Sequence, residues 1–182
     1  MTIATSERPG VLEQSTKGGA AMKGGVALKK VWALVVCGRE DHLVSLRQIL
    51  DPLVKVSGAR TCEEAARYLE KPDPPHLVFT DTAMPDGSWR DVLRLATRAP
   101  RPVNVIVASR APDVRLYMEA MDEGAFDFLT ASSLVPEVAH VLRNAAENAL
   151  SRREAQERLC AAPGLGSGKR KSLRWSHSAD SV

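Results

Sequence analysis

Short apolar runs alternate with helix-like patterns from residue 31 to about residue 150. Each run is four to seven residues long, and turn-forming Pro, Gly or Asp residues separate it from the next pattern. Such runs predict strands buried on both faces. Five are found: Val31–Cys37, Leu53–Ser57, His76–Thr80, Val103–Ala108 and Phe126–Leu129.

Five helices are predicted between and after these strands from apolar spacing and capping residues. Asp41 is expected to cap the first helix, Thr61 with Glu64 to form a capping box on the second, and Ser88 to cap the third. Pro112 and Asp113 open the fourth, which carries four apolar residues and ends at Gly124. Those four are Val114, Tyr117, Met118 and Met121. Pro136 opens the last helix, which is expected to run past residue 150.

Alternating strands and helices predict an α/β fold with a doubly wound parallel sheet and helices on both faces. In such sheets reactive groups gather at the carboxyl ends of the strands. This rule places Cys37, Asp81, Ser109 and Ala131 near one edge of the sheet.

Charge and composition divide the chain into three parts. Residues 1–30 carry a net charge of +3 and residues 151–182 a net of +4, whereas residues 31–150 carry a net of −4. We expect a disordered tail over 1–29, a domain over 30–150, and a helix extension with a disordered basic tail over 151–182. The acidic middle argues against a nucleic-acid-binding domain, which leaves the basic tail as the one candidate for a weak contact with nucleic acid. Either Met1 or Met22 could be the true start.

Three widely spaced cysteines, Cys37, Cys62 and Cys160, form no CxxC pair. They favour a reducing cytoplasm over a disulfide framework or a zinc site. The apolar run after Lys29 and Lys30 is too short to span a bilayer, so no membrane segment is expected. Motifs of nucleotide hydrolases, zinc proteases and serine hydrolases are not found in the sequence, and an enzyme is not expected.

The segment HLVFTDTAMPDG, which contains Asp81, resembles the receiver-domain motif of two-component response regulators. In that motif a buried strand ends in the phosphorylated Asp. Ser109 ends the next strand, where receivers carry Thr or Ser, and GAFDFLTAS resembles the family's GAxDYLTKP segment. The resemblance implies a flavodoxin-like strand order of 2-1-3-4-5, with Asp81 as phosphoacceptor and Phe128 at the aromatic switch position.

The same resemblance exposes three departures. Receivers carry an acidic pair after the first strand, where this chain has Cys37 and Gly38, and a Lys after the last strand, where it has Ala131. In receivers the acidic pair, the Lys and the acceptor Asp hold Mg²⁺ and the phosphoryl group. Because this chain keeps only Asp81 of this set, a weak Mg²⁺ site or none is expected. Arg39, Glu40 or Asp41 could compensate only by turning inward.

The sequence therefore predicts a pseudo-receiver that works through protein–protein contacts, with a histidine kinase or other signalling protein as partner, or a second copy in a homodimer. Two alternatives remain open. One is a phosphorylation-competent receiver with Asp81 as acceptor. The other is an unrelated flavodoxin-like domain that binds a ligand, against which the lack of a Gly-rich phosphate loop counts.

Overall fold

A parallel five-stranded sheet organises the chain in the computed structural model, which describes residues 28–130, 133 and 135–161. Of residues 29 and 41–43 only the backbone is described. A 3₁₀ turn at Leu28–Lys30 leads into the first strand. The strands are β1 Trp32–Val36, β2 Lys55–Ala59, β3 Leu77–Asp81, β4 Ala83–Met84, β5 Gly87–Ser88, β6 Asn104–Ser109 and β7 Asp127–Thr130. The helices are α1 Glu40–Leu50, α2 Cys62–Leu69, α3 Trp89–Thr97, α4 Val114–Asp122 and α5 Val135–Ala161.

The strand order of the large sheet is β2-β1-β3-β6-β7, and every neighbouring pair is parallel. Counting these five strands in chain order gives 2-1-3-4-5, which confirms the predicted doubly wound, flavodoxin-like arrangement. Strand order reverses between β1 and β3, so the carboxyl ends of these two strands flank the switch point where such folds place their sites.

Alternate residues of the central strands supply two separate cores. On β1, Ala33 and Val35 face a cluster closed by α1 and α5, whereas Leu34 and Val36 face a cluster closed by α2, α3 and α4. The period of two follows from the strand pleat. Both faces are covered, which explains why the strands are continuous apolar runs.

The predicted cap of α3 by Ser88 is confirmed, and the predicted capping box of α2 is confirmed in part. Asp91 accepts hydrogen bonds from the backbone N–H and the hydroxyl of Ser88, at 2.9 and 3.0 Å. Thr61 Oγ1 accepts from the backbone N–H of Glu64, but the Glu64 carboxylate bonds the N–H of Arg60. The predicted reciprocal bond of the capping box is thus shifted by one residue.

Two predicted boundaries were wrong. α1 begins at Glu40 after Arg39, so Asp41 lies within the first turn and is not the cap. β2 begins at Lys55, two residues later than expected, because the chain from Asp51 to Leu53 turns after α1 and delays its entry into the sheet.

The apolar stripe that predicted α4 lies on its exposed side. Val114 is 78% exposed and Met118 53%, with Tyr117 at 43% and Met121 at 36%. The helix packs on the sheet through the fully buried Ala120 and the half-buried Leu116. The small side chain of Ala120 lets the helix pack closely on the sheet, while the four large apolar residues of the stripe remain exposed to solvent.

An arginine clamp holds the part of α5 beyond residue 150 against the domain. Arg153 is 4% exposed, and its guanidinium donates to the carbonyl oxygens of Pro74, Pro75 and Pro102 at 2.7–2.9 Å. It also contacts Asp73 at 3.3 Å. Burial lowers the pKa of Arg153 to about 10, which leaves the side chain charged at neutral pH.

Replacing Arg153 should therefore destabilise the domain. We expect Arg153→Ala to lower the free energy of unfolding by about 2–4 kcal/mol, because buried carbonyls lose a charged donor. Urea unfolding measures this change. Arg158→Ala is the matched control: its side chain is 78% exposed and pairs only with Glu154 among the described residues, so the change should stay below about 0.5 kcal/mol. Equal effects of the two substitutions would contradict the clamp.

Candidate functional site

Three predicted site residues lie at the same edge of the sheet. Cys37 directly follows β1, Asp81 ends β3 and Ser109 ends β6, and these strands are neighbours. Asp81 pairs in register with Ala108, while Val36 pairs with Thr80, which brings Cys37 beside Asp81. All three side chains are buried. The arrangement follows from parallel strands ending at one edge.

Both carboxylate oxygens of Asp81 accept hydrogen bonds. Oδ1 accepts from the Thr82 backbone N–H at 2.7 Å and lies 3.3 Å from the Thr82 hydroxyl. Oδ2 lies 3.4 Å from Sγ of Cys37. A turn residue and a thiol thus hold the carboxylate in place.

The Cys37 thiol sits where the family has a carboxylate. Its Sγ lies 3.3 Å from the Arg39 carbonyl oxygen and 3.4 Å from Asp81 Oδ2, so its single proton bonds one of the two at a time. The side chain is fully buried. Cys37 therefore places a thiol, and no second carboxylate, beside Asp81.

Gly38 lies directly beneath the tip of the β4–β5 hairpin. A Cβ atom at this position would stand 2.7 Å from Cδ of Pro85, closer than real Cβ atoms approach, and 3.4 Å from its Cγ. The φ angle of Gly38 lies outside the left-handed range, so the restriction is steric. Any side chain at position 38, an acid included, requires Pro85 to move.

The hairpin that carries Pro85 is tied to α2. The carboxylate of Asp86 accepts from the backbone N–H groups of Cys62 and Glu63, at 2.8 and 3.0 Å. These bonds lower the pKa of Asp86. The carboxylate therefore caps the helix N-terminus from a separate loop.

Gly87 fixes the other side of the same hairpin. A Cβ atom here would stand 2.8 Å from Sγ of Cys62, so the glycine permits close packing on α2. Burial, together with Asp86 and Asp91, raises the pKa of Cys62 to about 11, so this thiol is protonated at neutral pH. Cys62 thus acts as a packing residue.

The two predicted switch residues, Ser109 and Phe128, make local contacts. The Ser109 hydroxyl donates to the Ala111 carbonyl oxygen at 2.8 Å, within its own loop. Phe128 is half-buried and meets Tyr117 of α4 edge-to-face, with ring centroids 5.8 Å apart. The aromatic side chain thus connects β7 to the exposed side of α4.

Magnesium does not suit the described donors at this edge. Mg²⁺ prefers several oxygen ligands in octahedral geometry, whereas the described set offers Asp81 and the soft sulfur of Cys37. Glu40, the nearest acid along the chain with a described side chain, is paired with Arg60. Among the described residues no group of three His, Cys, Asp or Glu side chains could hold a metal ion. Ala131 lies outside the described residues, as does the side chain of Asp41.

The sequence interpretation missed the roles of Pro85, Asp86 and Gly87. It treated Met84–Gly87 as a turn, and the turn is a two-stranded hairpin in which Ala83 pairs with Ser88 and Met84 with Gly87. One available signal was Gly38 itself, since a glycine in place of a functional acid indicates a close approach by another segment.

Several solved structures similar to this chain are receiver domains. A response regulator receiver domain protein from Clostridium thermocellum is 26% identical, with a TM-score of 0.57, over 69% of this chain and 98% of that chain. The signal receiver domain of an HD domain-containing protein from Pseudomonas fluorescens Pf-5 is 27% identical, with a TM-score of 0.61, over 68% and 92%. No protein-family model matches the chain, and no curated protein does.

The strand order, the edge occupied by Asp81 and these likenesses show that the chain has the fold of a response-regulator receiver domain. Domains of this class act in two-component signalling. A structure described as adenylate cyclase from Rhodopirellula baltica shares the fold at 21% identity and a TM-score of 0.64, over 71% of this chain and 97% of that chain. None of the described helices is long and apolar enough to cross a membrane.

A double-mutant cycle tests the contact between Gly38 and Pro85. We expect Gly38→Ala to lower the free energy of unfolding by about 1–3 kcal/mol, because the new methyl group overlaps the proline ring. In the Pro85→Ala background the same substitution should cost much less, since Cδ is gone. Urea unfolding of the four proteins gives the coupling energy. Additive effects would contradict the contact.

The Asp86 cap predicts a specific dependence of stability on pH. Because the pKa of Asp86 is lowered in the folded state, its contribution is fully present above the carboxyl's ordinary pKa of 3.8 and is lost as the pH falls through the lower folded pKa. Asp86→Asn should therefore lower stability at pH 7 and flatten its decline towards pH 3. Urea unfolding across this range measures the slope. Asp122→Asn, at an exposed position of α4, is the control and should keep the slope of the unmodified protein. If Asp86→Asn also keeps that slope, Asp86 does not act as a cap.

Proposed function

We propose that this chain is a pseudo-receiver, a receiver domain that signals through protein–protein contacts and does not depend on phosphorylation. The observation that carries the proposal is the close packing of the Pro85 ring against Gly38. In the family, position 38 would hold an acid that binds the metal. Here position 38 is a glycine, the ring of Pro85 packs against it, and Asp86 and Gly87 hold the hairpin against α2.

The electrostatics of the described site support the same proposal. Transfer of a phosphoryl group to a carboxylate brings anionic oxygens together and requires nearby positive charge. Cys37 supplies a thiol at one family position, and the sequence places Ala131 at the position of the family's Lys. The described residues around Asp81 therefore do not include the acidic pair that would hold the metal ion, and the sequence has no Lys at position 131 to contact the phosphoryl group.

The exposed side of α4 is the proposed working surface. Val114, Tyr117, Met118 and Met121 follow helical spacing and stay in solvent, and Tyr117 contacts Phe128. A contiguous apolar stripe of this kind favours a protein partner. The proposed partner is a histidine kinase or another signalling protein in the cytoplasm, with a homodimer of this chain as the alternative. Catalysis by the chain itself is not part of the proposal.

Phosphorylation-competence is the main alternative, and a direct assay separates the two. The intact chain should take up no phosphate from acetyl phosphate with millimolar Mg²⁺, as measured by intact mass, and Mg²⁺ should cause no saturable amide shifts around Asp81. Phosphate on Asp81 under these conditions, absent from an Asp81→Asn control, would overturn the pseudo-receiver proposal.

A gain-of-function variant tests the same proposal by restoring the residues that the family uses. The combination of Cys37→Asp, Gly38→Asp and Ala131→Lys restores the family's charges, and Pro85→Ala makes room for the acid at position 38. We expect this variant to bind Mg²⁺ and the phosphoryl mimic beryllofluoride. With Pro85 retained, binding should be weaker, because the new carboxylate meets the proline ring. Equal binding with and without Pro85 would show that the hairpin does not restrict the site.

A further inference from the structure

A cavity lies at the amino end of β6, at the edge of the sheet opposite Asp81. Its volume is about 500 Å³, within the range of small-molecule sites in proteins. One wall is apolar and includes Leu93, Ala96, Val105, Ala125 and Phe126. The other wall is the polar face of α5, where Asn148 and Arg152 stand one turn apart.

A buried asparagine fixes the guanidinium on the polar wall. Arg152 Nη1 donates to Asn104 Oδ1 at 3.0 Å. Asn104 is 3% exposed, and its Nδ2 donates to the Ala145 carbonyl oxygen at 2.9 Å and to Asn148 Oδ1 at 3.1 Å. Both polar atoms of the Asn104 side chain are thus hydrogen-bonded, which fixes its orientation. Asn104 holds the guanidinium of Arg152 through Nη1, and the other N–H groups of the guanidinium do not bond Asn104.

Arg152 also lacks a neutralising charge within the described part of the chain. Arg101, the other cation of the cavity wall, is paired with Asp73 and Glu157, whereas no described carboxylate contacts Arg152. A fixed, unpaired guanidinium beside an apolar wall is suited to an anion with a hydrocarbon body.

We propose that this cavity binds a small organic anion, with its carboxylate or phosphate on Arg152 and its apolar body against Ala125 and Phe126. Preorganisation of Arg152 by Asn104 reduces the ordering cost that a mobile surface arginine would incur on binding. The site is separate from the Asp81 edge and does not depend on the pseudo-receiver proposal.

Amide NMR of the full chain tests the site with three anionic probes: indole-3-acetate, benzoate and phenyl phosphate. At least one should cause saturable shifts at Gly124, Ala125 and Phe126, which line the cavity. Indole-3-acetamide lacks the charge and should bind at least about ten-fold more weakly than indole-3-acetate. Acetate lacks the apolar body and should bind at least about ten-fold more weakly than the best of the three anions. A preference for phenyl phosphate over benzoate would assign the anion as a phosphate, and the reverse would assign a carboxylate.

Arg152→Gln should weaken the best probe about ten-fold, while Arg158→Gln, an exposed change on the same helix, should leave its affinity unchanged. Asn104→Ser should weaken it less than Arg152→Gln, because the guanidinium remains but is no longer held. Unfolding measurements confirm that each variant is folded. Failure of all three anions to shift these amides, or undiminished affinity in Arg152→Gln, would overturn the proposal.

Discussion

The contact between Pro85 and Gly38 is the constraint on which the Asp81 edge depends. Asp86 and Gly87 hold the hairpin against α2, so a side chain at position 38 would press on a proline ring that is held in place. Without an acid at position 38, a carboxylate at position 37 would face Asp81 with no cation between them, and like charges at such distances repel strongly. The thiol of Cys37 avoids this repulsion and donates a hydrogen bond instead.

In the proposed pseudo-receiver, the rest of the receiver's machinery can remain in use without a phosphoryl group. Ser109 and Phe128 keep their places on β6 and β7, and the ring of Phe128 still touches α4 through Tyr117. A conformational equilibrium moves only through a ligand with different affinities for its two states. In a domain without a phosphoryl group, a partner on the apolar side of α4 can supply that difference. The exposed stripe would then be the input of the switch as well as its output.

Local pattern was sufficient for the large sheet and insufficient for the contacts between loops. Apolar runs predicted all five of its strands, and the resemblance supplied their order. The central strands β1, β3 and β6 were the plainest, because burial on both faces makes them continuous apolar runs. The side of α4 that packs was not evident, since its stripe of large apolar residues is exposed and Ala120 makes the contact. Pro85 and Gly38 are far apart in sequence, and no local pattern indicates that they meet. Asp86 reads as a turn residue, yet it caps a helix that begins more than twenty positions earlier.

Adjacent arginines on α5 have opposite roles because the helix turns them to different surroundings. Arg153 points inward to three carbonyl oxygens, and this clamp holds the last turns of the helix on the domain. Arg152 is held by Asn104 at the cavity. The position of Arg152 thus depends on the clamp of Arg153. Asn104 begins β6 and Ser109 ends it, and all six residues of this strand are buried. A strand that is buried along its whole length therefore connects the cavity to the Asp81 edge, with Asn104 at one end and Ser109 at the other.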